Sequence, residues 1–233
     1  MRLQAFLARA GAAPSRRKAE ALIEDGRVAV NGVTAALGLS VTGEEEVRLD
    51  GSRVLLPSTR SSFALNKPAG YLTTLKDEPD KNRPTVADLM PDVPGLVPAG
   101  RLDAETTGLL VLTNDGQLAN RITHPSARIE KEYRLTLKNP VPAPALDALA
   151  AGPLLEDGPM FPPVISNRRN QGRTTTLNLT IHEGRNRIIR RACAAVGLDL
   201  VSLHRVRVGP VRLGNLAQGE HRPLTDAELG ALV

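Results

Sequence analysis

A carboxylate two residues from an arginine, just ahead of an apolar run, is the arrangement in this chain that could do chemistry. It lies in GRLDAETTGLLVLTNDG, Gly100 to Gly116, which carries Arg101, Asp103, Glu105 and Asp115. An ionised carboxylate is a nucleophile and can also take up a proton, so Asp103 can attack an electrophilic carbon or act as a general base. Burial in a dry cleft would raise its pKa, and a neighbouring arginine would lower it. If the segment is extended, Arg101 and Asp103 share a face. A retaining glycosidase needs two carboxylates about 5 Å apart. Here Asp115, in Thr-Asn-Asp-Gly, reads better as a turn residue and Glu105 as an exposed polar one. The apolar GLLVLT that follows reads as an inner strand, a rigid support for a loop that carries Asp103.

Other chemistries find little footing. The chain has one cysteine, Cys193, so neither an intrachain disulfide nor a Cys-rich zinc site can form. Its setting, RRACAAVGL, is that of a small buried hydrophobe. The four histidines are scattered without metal-ligand spacing, so no metal is expected. There is no Gly-rich loop of the dinucleotide or Walker type, and no nucleotide cofactor is expected. MRLQAFLARAG has no long apolar stretch or cleavage pattern, and nothing approaches the roughly 18 apolar residues of a membrane span. A soluble cytoplasmic protein without a membrane partner is expected.

Charge points to a polyanion. The 233 residues carry a net charge of +5, and it is unevenly spread. Residues 1–31 hold six Lys or Arg (Arg2, Arg9, Arg16, Arg17, Lys18, Arg27) against three acids, and residues 185–212 hold seven Arg against one Asp. The remainder is acidic. Arg16, Arg17 and Lys18 fall in the first turn of a helix that Ser15 can cap, where the helix dipole disfavours cations. A local rule broken in this way hints at function, here a grip on a phosphate backbone.

The elements that must position these groups follow from periodicity. Leu3, Phe6, Leu7 and Ala10 repeat at helical spacing, and SRRKAEALIEDG makes a second helix stopped by Gly26. RVAVNGVTA and EEVRLDGSRVLL read as hairpins turned at Asn-Gly and Asp-Gly. This α-α-β module ends near Leu56. Residues 57–62 are a polar, turn-rich linker, and 63–233 form a second domain. That domain opens with the strand of FALNKPAGYLTT. A Pro-rich connection from Lys76 to Gly100 follows, with one short helix in TVADLM. Next come helix GQLANRITH, strand KEYRLTLK, helix APALDALAAG, strand RTTTLNLTIHEG, basic helix RNRIIRRACAAVGL and a strand pair in DLVSLHRVRVGPVRLGNL. The fold class is α+β, with a mixed, largely antiparallel sheet and flanking helices. At 41% apolar and 2% aromatic residues, the core must be aliphatic.

These segments, in this order, resemble a known family. GRLDAETTGLLVLTNDG and EGRNRIIRRACAAVGLDLVSLHRVRVGPVRLGNL are similar to the central and C-terminal signatures of pseudouridine synthases. The match is closest to the family typified by the small-ribosomal-subunit synthase A and its large-subunit relatives. FLARAGAAPSRRKAEALIEDGRVAVNG resembles the S4 RNA-binding module, and LNKPAGYLTT and KEYRL also fit. The resemblance implies an enzyme that needs no cofactor. It cleaves a uridine N-glycosidic bond, turns the base and rejoins it through carbon 5. It implies that Asp103 is catalytic, that Arg190 pairs with it and that Tyr133 lies beside the target base, where stacking is worth roughly 1–3 kcal/mol. Arg101 would orient the site or hold a phosphate. Arg16, Arg17, Lys18, Lys67, Lys131, Arg185 and Arg187 are the expected RNA-binding cations. One departure stands out: Ile188 occupies a position where the family usually has Gln. The implied partner is ribosomal RNA or a pre-ribosomal particle, with 23S favoured over 16S, and the expected state is a monomer. The alternatives are an S4-carrying assembly factor that only binds RNA, and a nucleoside glycosidase.

Overall fold

The computed structural model describes residues 1–57, 59–75 and 81–232. Ser58 of the expected linker and residues 76–80 of the Pro-rich connection lie outside them.

The N-terminal portion is built by local signals. Helices α1 (Leu3–Arg9) and α2 (Arg16–Glu24) precede strands β1 (Val28–Val30), β2 (Val33–Thr34), β3 (Val47–Leu49) and β4 (Ser52–Val54), which form an antiparallel sheet in the order β2-β1-β3-β4. Ser15 Oγ accepts a hydrogen bond from the Lys18 N–H at 3.2 Å, the expected cap. Both hairpins turn with two left-handed residues, Asn31-Gly32 at φ 50° and 80° and Asp50-Gly51 at φ 49° and 79°. Such turns match the twist of the flanking strands. Leu3, Leu7, Ala19 and Val28 are fully buried in a core of their own.

The rest of the chain winds around one large mixed sheet. In chain order come β5 (Ser62–Lys67), β6 (Val97–Pro98), β7 (Thr107–Thr113), α3 (Gly116–Thr123), β8 (Lys131–Lys138) and α4 (Ala143–Ala151). Then follow β9 (Leu154–Leu155), β10 (Gly158–Pro159), β11 (Val164–Asn170), β12 (Thr174–Ile181), α5 (Ile188–Ala195), β13 (Leu200–Val208), β14 (Val211–Arg212), β15 (His221–Pro223) and α6 (Asp226–Leu232). Among the described residues the sheet has nine strands, with the path β11-β12-β8-β13-β7-β5-β15; β14 joins β13 and β6 joins β7. Strands β13 and β7 run parallel, and the other named pairs are antiparallel.

Strand β7 shows why GLLVLT is continuously apolar. Leu109 and Val111 pack with Leu118 and Ile122 of α3 on one face, while Leu110 and Leu112 pack with Val86 and Leu96 on the other. A strand buried on both faces has no polar side to alternate with. Gly108 is demanded by packing: a Cβ there would lie 2.2 Å from the Arg205 carbonyl oxygen of β13. Gly95 is demanded likewise, because a Cβ would lie 2.1 Å from the carbonyl oxygen of Arg9, where α1 docks on the second portion.

Some elements differ from expectation. TVADLM gives a 3-10 turn, Val86–Leu89, with the Thr85 N–H held by Asp88. The basic helix starts at Ile188, and Arg187 before it adopts a left-handed φ of 47°. Edge strand β11, VISNRRN, is polar along almost its whole length and gives no alternation to read. Helix α6 was not foreseen either; it buries Leu232 and little else.

Candidate active site

A cavity of about 380 Å³ opens between the loop before β7, strands β8 and β13, and the turn leading into α5; Arg101, Asp103, Lys131, Tyr133, Arg187, Arg190 and Arg205 all line it. Side chains 28 to 102 positions beyond Asp103, from Lys131 to Arg205, are thus brought together around one carboxylate.

The loop that carries Asp103 is held from below. Arg101, the buried Leu102 and Asp103 all border the cavity. The segment is a loop and not a strand, so the condition for Arg101 and Asp103 to share a strand face is not met. Thr73 Oγ1 donates to the Leu102 carbonyl at 2.7 Å, and the Thr106 N–H donates to the Asp103 carbonyl at 3.0 Å, closing a tight turn. Lys67, expected among the RNA-binding cations, has no exposed surface. Its Nζ donates to the carbonyls of Pro68, Ala104 and Thr106 at 2.9, 3.1 and 3.0 Å. Here it is a brace for the Asp103 loop instead of a surface contact for RNA. Burial, partly offset by the Asp103 charge, pushes its amine down to about 8.

Two arginines face the carboxylate. Arg190 Nε lies 3.5 Å and Arg187 Nη1 3.8 Å from Asp103 Oδ2. Glu105, expected to be a bystander, joins them at 3.4 Å from Arg190 Nη1 and 3.6 Å from Arg187 Nη2. Arg190 Nη2 donates to Thr106 Oγ1 at 3.2 Å. These are ion-pair distances and not tight hydrogen bonds. Arg190 Nε is buried without a hydrogen-bond partner. Arginines at the start of a helix oppose its dipole, and the carboxylates opposite make that placement tenable. Ile188, the departure from the usual Gln, is buried in the same core cluster as Leu135 and Leu177 and also borders the cavity.

Arg185 is differently placed. Its Nε donates to Glu183 at 2.9 Å and its Nη1 to Asp157 at 2.8 Å, with the carbonyls of Asp157, Gly158 and Pro159 also in reach. It staples the turn of β9 and β10 to the approach to α5, so it is committed to structure. Arg191 joins it on Asp157.

The inner wall is a sheet face. Lys131 and Tyr133 lie two apart on β8, and the register sets Arg205 of β13 opposite Tyr133. Tyr133 is half-buried. The Arg205 guanidinium stands 5.9 Å from the centre of its ring, and Arg205 Nη1 donates to its hydroxyl at 3.4 Å. Arg205 Nε donates to the Leu109 carbonyl at 2.6 Å, while its Nη2 is buried with no partner. Lys131 is half-buried, and burial reinforced by the Arg205 charge lowers its amine to about 8. Sequence reasoning did not single out Arg205 as a site residue. Its signal is an arginine at a position that alternates with the exposed side of the strand VSLHRVRV, in step with the buried Leu203. On α2, Arg16, Arg17 and Lys18 are exposed and carry no ion pair among the described residues.

Comparison with known proteins identifies the family. The family model described as RNA pseudouridylate synthase matches residues 62–195, and the S4 domain model matches residues 1–47. An uncharacterized RNA pseudouridine synthase of Aquifex aeolicus (strain VF5) is 44% identical over 235 residues, covering 100% of this chain and 93% of the relative. The ribosomal large subunit pseudouridine synthase B of Bacillus subtilis (strain 168) is 40% identical, covering 99% and 95%. A crystal structure of a pseudouridylate synthase superposes with a TM-score of 0.70 at 34% identity over the whole of both chains. The chain belongs to the RNA pseudouridylate synthase family, and it carries an S4 domain ahead of the catalytic portion.

Proposed function

We infer that this enzyme converts a uridine of large-subunit ribosomal RNA to pseudouridine, with Asp103 as the catalytic carboxylate. The observation that carries this reading is the placement of Asp103. It is a partly buried carboxylate at a cavity wall, 27% exposed, faced by two arginines at 3.5 and 3.8 Å and held on a braced loop. The target within RNA is drawn from the Bacillus subtilis relative, whose name specifies the large subunit.

The reaction is an isomerisation. The bond from N1 to the sugar breaks, the base turns, and a bond from C5 to the same sugar carbon forms. C5 loses a proton and N1 gains one, so no electron carrier is needed. Asp103 supplies the nucleophile or the base for these steps. Arg190 and Arg187 face the carboxylate and aim it, and loose ion pairs of this kind leave it free to tighten onto a substrate. Tyr133 offers a ring face to an extruded base, and Arg101 stands at the rim where the strand enters. Extrusion costs a few kcal/mol, which phosphate contacts at Arg16, Arg17 and Lys18 help to offset.

The test is pseudouridine mapping of unmodified transcripts of both ribosomal RNAs after incubation with the wild type and with Asp103→Asn. Conversion of a uridine in the large-subunit RNA by the wild type alone is expected. Conversion confined to small-subunit RNA would overturn the target, and conversion by both proteins would overturn the role of Asp103.

A further inference from the structure

Two cations of the cavity, Lys131 and Arg205, have no carboxylate to answer them among the described residues. Arg187 and Arg190 face Asp103 and Glu105, and Arg185 faces Asp157 and Glu183. Arg101 is exposed at the rim. Lys131 and Arg205 instead sit on the inner sheet wall, flanking Tyr133, and Arg205 is 5% exposed with a buried Nη2 that donates to nothing. A buried donor left without an acceptor carries a desolvation cost of about 1–3 kcal/mol, more for a charged group. Such a group is normally answered by something.

Resting on the reading of this cavity as the site of an extruded uridine, we propose that Lys131 and Arg205 form a donor-only wall that receives the O4 carbonyl oxygen of the target uracil and rejects cytosine.

The chemistry decides the ligand. A lysine ammonium and a guanidinium carry donors and no acceptor. Uracil presents an acceptor at C4, whereas cytosine presents an amine there, which would face donors and leave both sides unpaired. Sites built to hydrogen-bond one group discriminate strongly against an analogue that lacks it. A phosphate is the other acceptor RNA offers, but Arg205 lies too deep for a backbone group that stays with the strand, while an extruded base is the part that enters. The Arg205 guanidinium stands 5.9 Å from the centre of the Tyr133 ring, on which that base would stack, so the donor lies at the edge of the stacked base.

The test uses the RNA that the wild type is found by mapping to convert, whichever ribosomal RNA that is. Failure of the large-subunit reading therefore shows in the map and leaves this comparison intact, and an active Asp103→Asn exposes failure of the catalytic reading separately. Wild type, Lys131→Met and Lys131→Arg are compared for kcat, KM and the salt dependence of KM, on RNA with uridine or 4-thiouridine at the target. Arg205→Lys is a second probe, accompanied by a melting curve because Arg205 also holds the Leu109 carbonyl. The expected result is a fall in kcat of about 10–100-fold for Lys131→Met, with the salt slope unchanged and partial recovery in Lys131→Arg. The sulfur substitution is expected to slow the wild type and to add nothing to the loss in Lys131→Met. A salt slope shallower by about one unit in Lys131→Met would reveal a phosphate contact and overturn the proposal. So would a wild-type kcat in that variant, or losses from sulfur and from Lys131→Met that simply multiply.

Discussion

The first turn of α2 and the approach to α5 hold two clusters of cations in opposite surroundings. Arg16, Arg17 and Lys18 stand exposed, with no ion pair among the described residues. Arg185 and Arg187 precede α5 and Arg190 lies in its first turn, and each faces a carboxylate from elsewhere in the chain. On the proposed function, the difference teaches that pairing, more than residue type, separates cations free to hold a polyanion from cations committed to a site. Exposed, unpaired charges add affinity that falls with salt. Partly buried, paired charges fix local geometry, Arg187 and Arg190 at Asp103 and Arg185 at Asp157 and Glu183.

The comparison breaks most visibly at Arg190. Arg190→Gln is expected to lower kcat by about 10²–10³-fold, the scale of losing one aimed charge-stabilising donor. The affinity for RNA and its salt slope should stay near wild type. Single-turnover rates and filter binding check this; a loss confined to affinity would place Arg190 with the outer cluster.

A pH profile sharpens the boundary. Lys131 holds its proton only below about 8, in contrast to an ordinary lysine near 10.5. Its cation is present at pH 7 and is lost as pH rises through that value. The rate is expected to fall above about pH 8 in the wild type, and Lys131→Arg should move that limb upward, since guanidinium keeps its proton. An unmoved limb would assign the titration to another group.

The outer cluster gives the smaller effect on rate. Replacing Arg16, Arg17 and Lys18 together with Gln should weaken binding and flatten the plot of log K against log salt by about 2 units, each phosphate contact being worth roughly 0.7–0.9. The saturated rate should be unchanged. Smallest of all is Cys193: buried, with its thiol pushed up to about 12 chiefly by burial, it should resist iodoacetamide in the folded protein at pH 8 and react once unfolded.

Much of this could be read from the sequence wherever the signal is local. Ser15 capping α2, the Asn31-Gly32 and Asp50-Gly51 turns and the two-faced burial of β7 all follow from neighbouring residues. Strand β11 escaped because VISNRRN lies at a sheet edge and has no apolar side to alternate. The start of α5 escaped because Arg187 takes a left-handed conformation that no residue type at that position announces. At the site, Asp103 stood out through its segment. The roles of Lys67, Glu105 and Arg205 did not, because each depends on a partner 37 or more residues away or on a loop folded back onto it. A lysine in LNKPAG is indistinguishable from a surface cation until the Ala104 and Thr106 carbonyls arrive beside it.

The most direct measurement is the single-turnover rate of Asp103→Asn beside its RNA affinity and salt slope. The amide keeps the shape of the carboxylate and removes its charge. A rate loss of at least about 10⁴-fold, with affinity and salt slope retained, is the predicted result. Conversion within tenfold of wild type would contradict the assignment of chemistry to this carboxylate, and with it the division between cations that grip the RNA and cations that shape the site.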